Sequence, residues 1–337
     1  MTTSASGTSK LRREIAAATL LFVAIVVLPD THAQGPGWVP EKPVELIASS
    51  GPGGSNDRTA RILQKILQEQ RQVTVPVNVV NKPGGNQTLA RAYLNQHAGE
   101  PYYFDIGNPT LVSNHISGIT PQHYRDFSPI ALLLNEYTVF TVRADSPIQN
   151  IRDLAERLRK DPESFAVGVS NRGGTNHLTL ALVAKSAGVD PKRLKVVVFR
   201  SNSESITAVL GGHIQMVAST VTSVVGQVAA GNARFIGFGA PRRMPGALAT
   251  VPTLREQGID VSLSNWRAIV GPKGLSPEHI AFWEDALARA VTTEDWKKNL
   301  EAQYWEGHFL RSGEFVKYLA QQYELTKVVM TDLGLAK

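Results

Sequence analysis

Cysteine is absent from all 337 residues. That excludes a disulfide, a thiolate metal site, an iron–sulfur cluster, a catalytic cysteine and a lipidated N-terminal cysteine. No run of Lys and Arg is long enough to read as a nucleic-acid patch. The eight histidines (32, 97, 115, 123, 177, 213, 279 and 308) form no H-E-x-x-H motif and no close pair. No G-x-G-x-x-G fingerprint is present, and no phosphate loop with its lysine. Gly168-Val169-Ser170-Asn171-Arg172 begins like a nucleophile elbow, but Arg172 stands where a second glycine is required. No internal repeat or low-complexity tract stands out. The apolar run Ile15 to Leu28, near the start, is short of the ~17–25 residues a spanning helix needs, and no other run is long and apolar enough to span a bilayer.

What is present is a globular composition, with 42% hydrophobic and 19% charged residues. The length suggests two domains, at ~100–200 residues each. Lys and Arg number 35 against 29 acids, a net charge of +6 that suits small anionic ligands. Residues 1–14 are polar and carry Lys10, Arg12 and Arg13, and Ile15 to Leu28 has no charge. Small residues follow at Thr31 and Ala33. These marks describe a secretory signal over residues 1–33, cleaved after Ala33. Export argues against chemistry driven by ATP or reduced nicotinamide.

Along the rest of the chain, short β-rich runs alternate with helical ones. Strands are predicted at 44–48, 77–80, 102–106, 130–134, 137–142, 165–169, 194–199, 214–218, 235–238 and 265–270. Helices are predicted at 56–70, 85–95, 151–159, 177–187, 205–210 and 221–230. The remainder, from 277 onward, reads as helical. This rhythm implies an α/β protein with parallel-rich sheets covered by helices. It breaks at the consecutive strands near 130–142 and at the Pro-rich stretch 241–252. The chain is therefore expected to cross to a second domain near 142 and return near 255–265. The domains would be 34–142 plus 256–337, and 143–255.

Two Gly-rich strand-to-helix loops stand out. The first holds Pro52, Gly53, Gly54, Ser55 and Asn56; the second holds Gly173, Gly174, Thr175, Asn176 and His177. Glycine lets backbone approach a ligand, and a helix start offers free N–H groups and partial positive charge. Each loop is thus a candidate anion site, and both can face one cleft beyond the strand ends. Other strand ends add Asn108, Arg200, Ser219, Thr220, Trp266 and Arg267. Arg200 and Arg267 are candidates for an ion pair with a carboxylate. Trp266 either lines the cleft or sits in the core beneath a hinge. No catalytic residue, metal site or cofactor is read from the sequence.

Several motifs, in order and spacing, resemble the tripartite tricarboxylate transporter receptors, or Bug family. They include Lys42 to Ile47 leading into Gly51 to Asp57, Val80 to Asn86, and Tyr124 to Ile130. Gly173 to Leu178, Leu210 to Ile214, Val251 to Leu254 and Trp266 also fit. The likeness runs from about 40 to 335. It implies a type-two periplasmic binding fold, with two α/β domains around a ligand cleft. It also implies capture of a small carboxylate in the periplasm for delivery to membrane permease subunits. The family's carboxylate grip maps onto 52–56 and 173–177. Gln215 stands where members often carry Asp, Ser219-Thr220 replaces an acidic–amide pair, and Arg200-Ser201 replaces Lys-Gly. These departures concern the far end of the ligand. Two other classes stay open on sequence: a receptor feeding a membrane signalling protein, and an exported hydrolase.

Overall fold

The computed structural model describes residues 37–199 and 201–337. The expected signal peptide and Arg200 lie outside the described residues. The first lobe opens with β1 (Val44–Ala48), α1 (Ser55–Glu69), β2 (Val77–Asn81), α2 (Thr88–Asn95), β3 (Tyr103–Gly107), α3 (Thr110–Ile116) and β4 (Ser128–Asn135). The second lobe follows, with β5 (Thr138–Arg143), α4 (Ile151–Lys160), β6 (Val167–Val169), α5 (Thr175–Ser186) and β7 (Val196–Val198). It continues through α6 (Asn202–Leu210), β8 (Met216–Thr220), α7 (Val221–Ala229) and β9 (Ala233–Phe238). The chain then returns for β10 (Arg267–Gly271), α8 (Pro277–Ala290), α9 (Glu294–Ala302), β11 (Glu306–Arg311) and α10 (Ser312–Asp332).

One sheet has the order β11-β4-β10-β3-β1-β2, the other β7-β6-β8-β5-β9. The β1 pairings with β2 and β3, and the β6 pairings with β7 and β8, are parallel. The strands next to the crossings, β4, β5 and β10, pair antiparallel with their neighbours. The sheets are therefore mixed rather than simply parallel-rich. A strand entering from the other lobe needs no crossover helix and can run against its neighbour. The two consecutive strands read from the sequence straddle the crossing: β4 lies in the first sheet and β5 in the second.

Helix faces follow the apolar pattern. Ala60, Leu63, Ile66 and Leu67 recur at helical spacing on α1 and are fully buried. They join Phe104, Trp283 and Trp296 in a core on one face of the first sheet. Phe104 and Trp283 meet with ring centroids 4.7 Å apart. Fully burying side chains of this size contributes ~1.5–3 kcal/mol each. Ser276 caps α8 by accepting from the His279 N–H, with Pro277 in the first turn.

The crossings at 136–137 and 264–265 run side by side. The Asn265 N–H donates to the Glu136 carbonyl at 2.8 Å, and Tyr137 and Ser264 form an antiparallel bridge. Glu136 itself is buried. Its carboxylate accepts from Arg267 Nη2 at 3.0 Å, Asn265 Nδ2 at 3.0 Å and Trp305 Nε1 at 3.2 Å. A charge-assisted knot thus ties both crossings at the pivot between the lobes.

Candidate functional site

The β1–α1 and β6–α5 connections are built alike, residue for residue, at an offset of 120. Gly53 and Gly173 have φ of +78° and +74°, a region open to glycine at little cost. Each donates its N–H to the side chain four residues on, Gly53 to Asp57 Oδ2 at 2.8 Å and Gly173 to His177 Nδ1 at 2.9 Å. Gly54 and Gly174 then precede the helices in extended conformation with no side-chain cap. Thr59 and Thr179 each donate a hydroxyl to the carbonyl four residues back. The sequence reads G-G-[ST]-N-[DH]-x-T in both places. This is an internal repeat, short enough to escape a search for long ones.

The repeat explains the bare helix ends. Asp57 and His177 hold the loops from behind, so neither caps the N–H groups in front. Burial alone would push the Asp57 carboxyl up. Hydrogen bonds from Arg61, Gly53 and Asn81 outweigh it and hold that carboxyl below its usual range. Burial, helped by the Arg172 charge, pulls His177 down to about 4. Its ring is therefore neutral at pH 7 and accepts the Gly173 N–H. The backbone N–H groups of Ser55, Asn56, Thr175 and Asn176 donate to no protein group among the described residues. The side chain of Asn56 reaches across to β3, donating to the Ile106 carbonyl at 3.1 Å. Asn176 is tied to β5, where its Oδ1 accepts from Thr138 at 2.8 Å.

Both helix starts open on one cavity of about 210 Å³ between the lobes. Of the residues singled out in the sequence, Ser55, Asn56, Asn108, Gly173, Gly174, Thr175, Asn176, Thr220, Trp266 and Arg267 reach its wall. Pro52 and Gly53 are exposed outside it, and Gly54 stands behind it as the α1 cap. His177 and Ser219 are buried beneath the wall. Arg267 is the one charged side chain on the wall among the described residues. Its guanidinium, expected to meet a ligand anion, is turned to Glu136 and to the carbonyls of Asn265 and Trp266. A buried cation without such partners would be far too costly. The Trp266 ring packs edge-on to Phe315 and Tyr318, at 5.8 and 6.4 Å, within the first lobe's core.

The wall also holds residues that the sequence did not single out, Gln87 and two from α10 among them. The sequence predicts a regular helix over 85–95, yet Asn86 and Gln87 have φ of +51° and +75° and form a bend that brings Gln87 to the wall. Gln322 and Thr326 come from α10, far along the chain. The Gly84-Gly85 pair was the available signal for the first; nothing local marked the second.

Residues 59–335 match the family described as the tripartite tricarboxylate transporter family receptor. The chain belongs to that family. It is 28% identical over 331 residues to a Cupriavidus necator protein described as "UPF0065 protein in gbd 5'region", covering 97% of each. A ligand-free solute-binding protein of the same family from Polaromonas superposes with a TM-score of 0.73 at 27% identity. That match covers 87% of this chain and 99% of the other. An R. palustris protein solved with adipate matches with a TM-score of 0.77 at 20% identity, covering 88% and 99%. The fold is thus that of the two-domain periplasmic solute-binding proteins, two α/β domains around a cleft.

Proposed function

We propose that this receptor captures a small carboxylate in the periplasm and delivers it to the permease subunits of a tripartite tricarboxylate-type transporter. The observation that carries the reading is the pair of matched loops opening on one cavity. Each ends in a helix whose first N–H groups are bare, and each comes from a different lobe. A carboxylate placed between them accepts from Ser55 and Asn56 on one side and from Thr175 and Asn176 on the other. Both helix dipoles favour the negative charge. A ligand held this way favours whatever conformation brings the lobes together. The adipate-bound neighbour supports the ligand class, and the signal at 1–33 supports export. On sequence alone, Arg200 is a candidate to meet a second anionic group.

Proline provides a clean probe. It is well tolerated at the first helical position and removes only an N–H that the helix does not use. Gly54 and Gly174 are extended, as a residue before proline prefers. A hydrogen bond to a charged group is worth ~1.5–3 kcal/mol. Ser55→Pro or Thr175→Pro should therefore weaken carboxylate binding roughly ten- to hundredfold at ~1.4 kcal/mol per tenfold. Titration calorimetry measures this, after mass spectrometry of small molecules copurifying with the native protein has named the carboxylate. Unchanged affinity in both folded variants refutes the grip.

A further inference from the structure

Around Gln87 the hydrogen bonds outnumber the protons. Thr110 Oγ1 lies 2.7 Å from Asn108 Oδ1 and 2.8 Å from Gln87 Oε1, and accepts from Arg91 Nη2 at 2.7 Å. A hydroxyl has one proton and two lone pairs. Arg91 fills one lone pair and accepts nothing. The Asn108 amide is fixed, because its Oδ1 also accepts the Thr110 backbone N–H at 3.0 Å. The Thr110 proton is therefore needed at Asn108. An oxygen of Gln87 at 2.8 Å would then face Thr110 with no proton between them. The same end of Gln87 lies 3.1 Å from Ser49 Oγ, which accepts from Asn56 Nδ2 at 2.7 Å. Asn56 is fixed as well, since its Nδ2 donates to the Ile106 carbonyl.

We propose that the Gln87 amide is turned over, with Nε2 donating to Thr110 and Ser49 and Oε1 facing the cavity, so that the ligand is a carboxylate that also carries a hydroxyl. This is the one arrangement in which each of these short contacts has its own proton; it leaves the Ser49 proton outside them. Amide oxygen and nitrogen are told apart by such accounting. The other end of the amide has no protein partner among the described residues, and Gln87 lines the cavity. The backbone holds this placement firmly. Gln87 sits at φ +75°, and the Asn86 and Asn114 side chains and backbone exchange two hydrogen bonds at 2.6 and 2.7 Å. Strain of that kind persists where surrounding structure enforces it. A carbonyl oxygen facing the cavity asks the ligand for a donor. The wall offers no carboxylate to pair with an ammonium among the described residues, so the donor that fits is neutral. The ligand half of the proposal rests on the carboxylate reading above; the amide half does not.

Two measurements separate the halves. In ligand-free protein labelled with 15N-glutamine, the Gln87 side-chain signal is assigned by its loss in Gln87→Glu. Its NH2 protons are expected to exchange at least about tenfold more slowly than those of exposed glutamines. Exchange at the exposed rate overturns the amide orientation. Calorimetry then compares lactate with propionate, malate with succinate, and mandelate with phenylacetate. A neutral hydrogen bond contributes ~0.5–1.5 kcal/mol net, so the hydroxy acid should bind roughly three- to tenfold tighter in each pair that binds. Thr110→Val removes the constraint on the amide and should shrink that preference. Equal affinity within the pairs overturns the hydroxyl requirement and leaves the carboxylate grip standing. Tighter binding of alanine than of lactate overturns the choice of a neutral donor. Slow amide exchange with no carboxylate bound overturns both the grip and the ligand half, while the amide assignment stands.

Discussion

His177 and Asp105 are both buried and titratable, and they respond to acid in opposite senses. His177 accepts a proton at about 4 in the native state against 6.5 unfolded. Its contribution to stability is complete above pH 6.5 and is lost as pH falls toward 4. The loss is about 3 kcal/mol at 1.36 kcal/mol per pKa unit. Protonation also removes the acceptor for Gly173, so the α5 loop should loosen first. Asp105 is pushed up to about 6 by burial, which Arg91, 3.6 Å away, offsets only in part. A raised carboxyl favours the native state as pH falls through 6, so this residue works against the acid loss. Urea unfolding from pH 7.5 to 4 should therefore show a decline that flattens in His177→Asn and steepens in Asp105→Asn. Parallel curves for wild type and His177→Asn would remove the imidazole from the account. The Arg91–Asp105 pair itself should be costly to break from one side. Arg91→Met is expected to destabilise by ~3–5 kcal/mol, because it strands a buried carboxylate, and by less when combined with Asp105→Leu. Denaturant midpoints of the single and double variants measure the difference.

Among the elements, the legible ones were those whose signal is local. The stripe Ala60, Leu63, Ile66 and Leu67 announces α1, and Ser276-Pro277 announces α8. Strand β11 was hidden. Glu306 to Arg311 holds a glycine, a histidine and two charged ends, and it is a strand because it pairs at the sheet edge with β4. That pairing is made in space, across a long stretch of chain. Helix α3 escaped for another reason: it is short and starts beside Asn108-Pro109, which reads as a turn. The cavity divides the same way. Its glycine loops were legible because backbone conformation demands glycine there. The fate of Arg267 was not, since it depends on Glu136, 131 positions earlier. The matched loops carry their own prediction. If Asp57 and His177 play equivalent parts, His177→Asp should keep the Gly173 N–H satisfied and preserve the α5 start, whereas His177→Leu should not. Amide exchange at Gly173 in the two variants reports the difference, with protection retained in the first and lost in the second.

At the scale of the molecule, the lobes meet at the pivot and again along α10. That helix packs under the first sheet with Phe315 and Leu319, yet Leu178 of α5 shares its cluster with Met330. Lys185 and Asp332 pair across the same seam. Two lobes joined at a pivot and touching at a seam are able to part, and on the proposed grip a ligand contacting both helix starts would draw them together. X-ray scattering should show a smaller radius of gyration with saturating carboxylate than without, and identical dimensions would sink the closure mechanism. The seam has a thermal consequence too. A carboxylate entering a polar cavity of about 210 Å³ buries little hydrocarbon, so by itself it would leave the heat capacity nearly unchanged. If the lobes part when empty, Leu178, Met330 and Leu335, which packs against their cluster, are wetted, and each binding event dries them again. Drying apolar surface lowers the heat capacity. The enthalpy of binding should then grow more exothermic with every degree of warming, a slope set by the protein's own seam and common to every ligand that closes it.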